Sequence, residues 1–141
     1  MPRVGSLIIV TFQVELVSPE SISYSGEAEM VIARTVEGGD IAFQPGHVPF
    51  IGVLSVWSVE VIRPDGERDV FAVHRGFVQV AGTKVSILSD VSEVADEIDI
   101  ERAKEARLSA QEAIQSNSED QEAIASLERS EVRLRVGGVE V

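Results

Sequence analysis

Apolar residues change their period once along this chain, at Ile98-Asp99-Ile100-Glu101-Arg102-Ala103. Upstream they alternate with polar residues in short runs broken by Gly and Pro, and downstream they recur every three or four residues among Ala, Glu, Arg and Leu. A period of 2 belongs to half-buried strands and a period of 3.6 to helices, so one switch implies a β unit followed by an α unit, an α+β chain. Asp99 is placed to cap the first helix, because its carboxylate can accept the free backbone N–H groups of the first turn and complements the positive end of the helix dipole. The expected division is residues 1–97 for the β unit and 98–141 for the helical one.

Within the β unit, Val10, Phe12, Val14 and Leu16 alternate with Thr11, Gln13 and Glu15. Ala28, Met30 and Ile32 alternate in the same way, and further short strands are expected at 22–24, 41–43, 50–54, 56–62, 70–74, 77–80 and 85–88. Gln44-Pro45-Gly46-His47 suits a type II turn and Pro64-Asp65-Gly66-Glu67 a hairpin turn. Such a series, about ten short strands with no helical pattern between them, predicts an antiparallel β-sandwich with two inward apolar faces.

In the helical unit, Ala103, Ala106, Ala110 and Ala113 form a stripe that lets another helix approach closely. Gln115-Ser116-Asn117-Ser118 interrupts it, Ser118 with Gln121 reads as a capping box, and Ile124, Leu127 and Leu134 line one side of a second helix that Gly137-Gly138 ends. The short connection makes the pair an antiparallel hairpin, each arm about 16 residues or roughly 25 Å long. Helices this short depend on packing for stability, so the hairpin should rest on the sandwich, on a partner, or on each in turn.

Composition narrows the partners. The net charge is −12, with 6 basic against 14 acidic residues up to Ile98 and 6 against 10 from Asp99 onward. A surface of that sign repels nucleic acid and anionic lipid, which points to proteins or cations. The absence of cysteine excludes disulfides, thiolate metal sites and Cys nucleophiles. The apolar run Leu7-Ile8-Ile9-Val10 is far short of the roughly 20 residues that span a bilayer, so no direct membrane insertion is expected. Residues 1–6 read as a leader without fixed structure.

Catalytic patterns are missing: Gly82-Thr83-Lys84 lacks the spacing of a phosphate loop, no His pair stands at metal spacing, and no elbow surrounds a Ser. His74 reads as a strand-end residue, and His47 as a turn residue bonded to backbone or as an exposed contact. Arg129 and Arg133, four apart, share a helix face, and Arg102 lies opposite them in an antiparallel hairpin. The three guanidiniums either pair with Glu93, Asp99, Glu101 or Glu128, or converge as an anion site suited to phosphate.

The segments Leu16-Val17-Ser18-Pro19-Glu20, 24–31, Pro45-Gly46-His47-Val48-Pro49, Ala72-Val73-His74-Arg75-Gly76-Phe77 and Asp90 through Ala103 carry a resemblance. The chain resembles the epsilon subunit family of bacterial F-type ATP synthases over essentially its whole length. The resemblance implies a non-catalytic subunit of the rotary central stalk, which couples proton-driven rotation to ATP synthesis. Its sandwich would contact the gamma subunit and the ring of c subunits, and its hairpin would fold down or extend toward the alpha and beta subunits to restrain ATP hydrolysis. It would lie peripherally on the cytoplasmic face of the plasma membrane and need no metal or cofactor. Asp40, with His47 beside it, stands where the family contacts the c ring. Ile98-Asp99-x-x-Arg102-Ala103, with Glu93, Arg129 and Arg133, matches positions through which some members bind a regulatory ATP.

Three departures stand out. Gly39-Asp40-Ile41-Ala42-Phe43-Gln44 differs from the family's usual loop, Arg75 replaces a glycine, and Val56-Trp57 stands where a Pro-Gly hairpin is common, making Trp57 a candidate interface residue. The reading from a different class is a free-standing small-ligand or sugar-binding β-sandwich module with an accessory helical hairpin.

Overall fold

The computed structural model describes residues 10–141, so the expected leader and most of the apolar run at 7–10 lie outside the described residues. Ten strands come first: β1 (Phe12–Ser18), β2 (Ser21–Ala28), β3 (Met30–Thr35), β4 (Gly39–Phe43), β5 (Phe50–Leu54), β6 (Trp57–Ile62), β7 (Arg68–Val73), β8 (Gly76–Ala81), β9 (Lys84–Ser89) and β10 (Ser92–Val94). A single 3-10 turn at Ala95–Glu97 leads to α1 (Ile100–Ser116) and α2 (Gln121–Val136).

The strands form two layers, β10-β7-β6-β3-β4 and β5-β8-β9-β1-β2, joined where Thr35 of β3 pairs with Leu54 of β5. Their far edges meet through a hydroxyl hydrogen bond between Ser23 and Ser92. Pairing is antiparallel except that β1 runs parallel to β9, with Val14 opposite Val85 and Leu16 opposite Ile87. The alternation seen in the sequence delivers the core. Phe12, Val14 and Leu16 from one layer meet Val31, Val59, Val61, Phe71 and Val73 from the other, with Phe43 and Leu54 fully enclosed.

Turn chemistry fixes the registers. Gly46 has φ +89 and the His47 N–H donates to the Gln44 carbonyl at 3.0 Å, the arrangement of a type II turn. Gly66 has φ +87 in the β6–β7 hairpin, where Asp65 Oδ1 accepts the Glu67 N–H at 2.9 Å. Arg75, between β7 and β8, holds φ 68 with a side chain present, a conformation that costs about 1 kcal/mol.

Asp99 caps α1, its Oδ1 accepting the Arg102 N–H at 3.1 Å. The cap of α2 is Asp120, whose Oδ1 accepts the Ala123 N–H at 3.0 Å, and not Ser118 as the sequence suggests. Ser118 stands too early because Asn117 Oδ1 accepts the Glu119 N–H at 3.0 Å and keeps the chain in a turn. Gln121 is thus the first helical residue, two positions short of the third place that a capping box requires.

The hairpin is folded down on the sandwich. Ala103 and Ala110 of α1 are buried in the hairpin, and α2 lies against β7 and β6. A second, small apolar core joins the units: Ala72 from β7, Ile98 from the linker and Val132 from α2, bordered by Val56, Ile100 and Val136. Val132 is absent from the stripe of Ile124, Leu127 and Leu134 because α2 buries two faces, and a single-stripe reading finds only one.

Candidate functional site

The junction between sandwich and hairpin gathers most of the ionisable residues singled out in the sequence. Edge strand β10 pairs with β7, Glu93 opposite Ala72, so the carboxylate stands one residue from the buried end of that strand. His74 is 6% exposed there, and its Nε2 lies 2.9 Å from Glu93 Oε1. A carboxylate can only accept, so Nε2 carries the hydrogen, while Nδ1 is buried without a partner. From α2, Arg133 Nε donates to the same Oε1 at 2.8 Å. Hydrogen bonds from His74 and Arg133 outweigh burial and hold the Glu93 carboxyl down to about 2 from an ordinary 4.5.

Beside this clasp lies a cleft of about 360 Å³ lined by Glu93, Glu97, Asp99, Arg102, Arg129 and Arg133, with Ala103, Ala106 and Ser126 on its helical walls. Arg102, Arg129 and Arg133 do converge, as helix geometry predicts. Three carboxylates face them, so the cleft is balanced in charge. Arg133 is engaged by Glu93 and Arg129 by the exposed Glu122 at 3.0 Å, while Arg102 makes no ion pair among the described residues. Glu97, Ser126 and the part played by His74 are not signalled by the sequence pattern. The one available clue is His74 itself, an ionisable residue that closes the apolar run Val70-Phe71-Ala72-Val73.

The remaining candidates lie elsewhere. Asp40 lies within β4, and His47 in the turn that follows that strand. Asp40 forms a two-pronged pair with Arg34, at 2.8 and 3.2 Å. His47 Nδ1 lies 2.7 Å from the Val48 carbonyl oxygen, and its ring sits edge-on to Phe43 at 5.1 Å, while Val48 is 70% exposed at the loop tip. At Trp57, which is half-buried, Arg34 and Arg135 place guanidiniums 3.5 and 3.9 Å from the ring centroid.

On the outer face of the second layer, Val53, Phe77, Leu88, Val17 and Ile22 are neighbours across five strands at one register. Phe77 and Leu88 are each 56% exposed and Ile22 is 66% exposed. This is a continuous apolar row on a surface otherwise rich in charge.

Comparison with known families decides what kind of chain this is. A model described as the β-sandwich domain of the ATP synthase delta/epsilon chain matches residues 11–95, and one described as its long α-helix domain matches residues 96–138. The chain belongs to the ATP synthase delta/epsilon family. The ATP synthase epsilon chain of Streptomyces griseus is 41% identical over 126 residues, covering 89% of this chain and 94% of that one. The epsilon chain of Thermobifida fusca is 44% identical over 131 residues, covering 90% and 92%. Among solved structures, a chain of the Euglena gracilis mitochondrial ATP synthase (OSCP/F1/c-ring, rotational state 1) matches with TM-score 0.69 over 97% of this chain and 84% of that one, at 22% identity, a likeness of fold.

As a delta/epsilon family member the chain is a non-catalytic subunit of ATP synthase. The reading as a free-standing ligand-binding module has no support, and the sandwich interior is filled by side chains. No helix among the described residues is long and apolar enough to cross a membrane.

Proposed function

We propose that this subunit works in the central stalk on the cytoplasmic face of the membrane, with residues 98–141 as a regulatory arm that leaves its docked position to restrain ATP hydrolysis. The observation that carries the reading is the thinness of the docking contact. The sandwich has a complete core of its own, whereas the hairpin is held to it by the small apolar core around Ala72, Ile98 and Val132, the Glu93–Arg133 clasp and the stacking of Arg135 on Trp57. Such a contact resembles an interface between domains, where relative motion is the default. Asp99 is the hinge, and the extended arm would meet the alpha and beta subunits.

The apolar row from Val53 to Ile22 supports the gamma subunit as the partner of the outer face, because it offers a flat surface that can be buried without unpaired charges. Asp40 on β4 and the His47 turn that follows it would provide the contact with the c ring. The cleft at Arg102, Arg129 and Arg133 supports a regulatory nucleotide, since guanidinium forks suit phosphate and its volume falls within the range of small-ligand sites. ATP bound there would bridge both arms of the hairpin and favour the folded-down state.

Assembly of the enzyme with a chain ending at residue 98 tests the regulatory reading: hydrolysis is expected to rise while the β-fold persists, and unchanged hydrolysis would remove the arm's role. The gamma contact is tested separately by co-purification with Phe77→Asp, which should leave a folded chain that no longer brings gamma with it.

A further inference from the structure

Trp57 is the only tryptophan in the chain, and the structure places it between elements that the sequence keeps far apart. Arg34 comes from β3 in the sandwich and Arg135 from the last turn of α2. Two planar guanidiniums within 4 Å of one ring centroid would overlap on the same face, so the indole is clasped on both faces. Two like charges do not converge in this way without compensation. The negative faces of the indole supply part of it, and the carboxylate of Asp40 on Arg34 supplies the rest.

The arrangement forms a chain of four groups, Asp40, Arg34, Trp57 and Arg135, running from the start of β4 to the end of the hairpin. Arg34 is backed by the indole while its fork grips Asp40, so its orientation is fixed twice. Arg135, by contrast, makes no ion pair among the described residues, which leaves the indole as its partner in the docked state. The contact lies about half a turn beyond Arg133 and is separate from the Glu93 clasp. The carboxyl of Asp40 is held below its ordinary value first by the Arg34 hydrogen bond and more weakly by the charge of Arg135, which indicates that the far end of the hairpin is within electrostatic reach of β4.

We infer that Trp57 is the seat that latches the C-terminal end of the docked hairpin, and that through it the position of the hairpin sets the geometry of the Arg34–Asp40 pair. This rests on the proposed mobility of the hairpin. When α2 lifts, Trp57 loses one covered face and Arg34 loses a constraint. Asp40, exposed on the sandwich surface, then presents a looser pair to whatever it meets. The hairpin's state is thereby passed to a surface group outside the hairpin.

The test uses the full chain, with hydrogen exchange of α2 and acrylamide quenching of the sole tryptophan as readouts. Arg135→Gln, a change at an exposed helix end, is expected to speed α2 exchange about twofold to fivefold relative to the sandwich strands, the range that a surface cation–π contact implies. Quenching of Trp57 should rise in the same variant. Asp40→Asn should also raise quenching, and the double variant should give less than the product of the two effects, because the groups act through one stack. If α2 opens separately from the sandwich but Arg135→Gln alters neither readout, the seat is refuted while a mobile hairpin stands. If α2 exchanges only together with the sandwich strands in every variant, the mobility fails and the proposed transmission fails with it.

Discussion

Arg133 Nε donates to Glu93 Oε1 at 2.8 Å across forty residues of chain, joining the far arm of the hairpin to the last strand of the sandwich. The contact is charge-assisted and shared with buried His74, so it is the strongest polar link between the two units.

Replacing that carboxylate by an amide in Glu93→Gln should weaken docking of the hairpin by about 1 to 3 kcal/mol, the usual cost of spoiling a hydrogen bond to a charged group. Hydrogen exchange in α2 should accelerate while strands β1, β8 and β9 keep their protection. Equal protection of α2 in both proteins would show that the remaining contacts, the apolar core at Ala72, Ile98 and Val132 and the Arg135–Trp57 stack, hold the hairpin without the clasp.

The same group makes docking depend on acidity. Glu93 is held down to about 2 in the folded state against an ordinary 4.5, first by His74 of the sandwich and then by Arg133, so the share owed to Arg133 favours docking while the carboxylate is charged and is lost as pH falls toward 2. The difference in α2 protection between the native chain and Glu93→Gln should therefore shrink across that window. A constant difference from pH 5 to pH 2 would contradict the assignment of this carboxylate as the one responsible.

Calorimetric titration with ATP addresses the cleft. Binding is expected for the native chain, and Arg102→Ala or Arg133→Ala should each weaken it roughly tenfold to a hundredfold. Absence of heat at millimolar ATP would leave the three arginines as structural pairs only.

Two adjacent residues where β7 turns into β8 should respond in opposite directions. A methyl group on Gly76 would stand 2.0 Å from the Leu88 carbonyl oxygen at φ +153, so Gly76→Ala should destabilise the sandwich by about 3 kcal/mol or more. Arg75→Gly relieves a side chain held at φ 68 and should be neutral or stabilising by up to about 1 kcal/mol. Denaturant midpoints of the two variants provide the comparison.

Much of this architecture is legible in the chain because burial has a period. Phe12, Val14 and Leu16 announce β1 by alternation, and the Ala stripe of α1 announces a helix that approaches another. Gly46 and Gly66 mark turns whose backbone demands positive φ. What escapes is whatever depends on pairing between distant segments. The parallel contact of β1 with β9 leaves no local trace, and neither does the second buried face of α2 at Val132. The convergence of Arg102, Arg129 and Arg133 could be read from hairpin geometry, but the capture of Arg133 by Glu93 and His74 depends on where the hairpin lands. The approach of Arg135 to Trp57 likewise depends on where α2 lands.

The placement of β1 between β2 and β9 also bears on the order of events during synthesis. During synthesis β1 has only its hairpin partner β2 until Lys84 to Ser89 have been made, so the second layer cannot close before β9 exists. Long-range pairing of this kind slows folding and leaves strand edges open meanwhile. The hairpin, which follows all ten described strands, then meets a finished surface on which to dock.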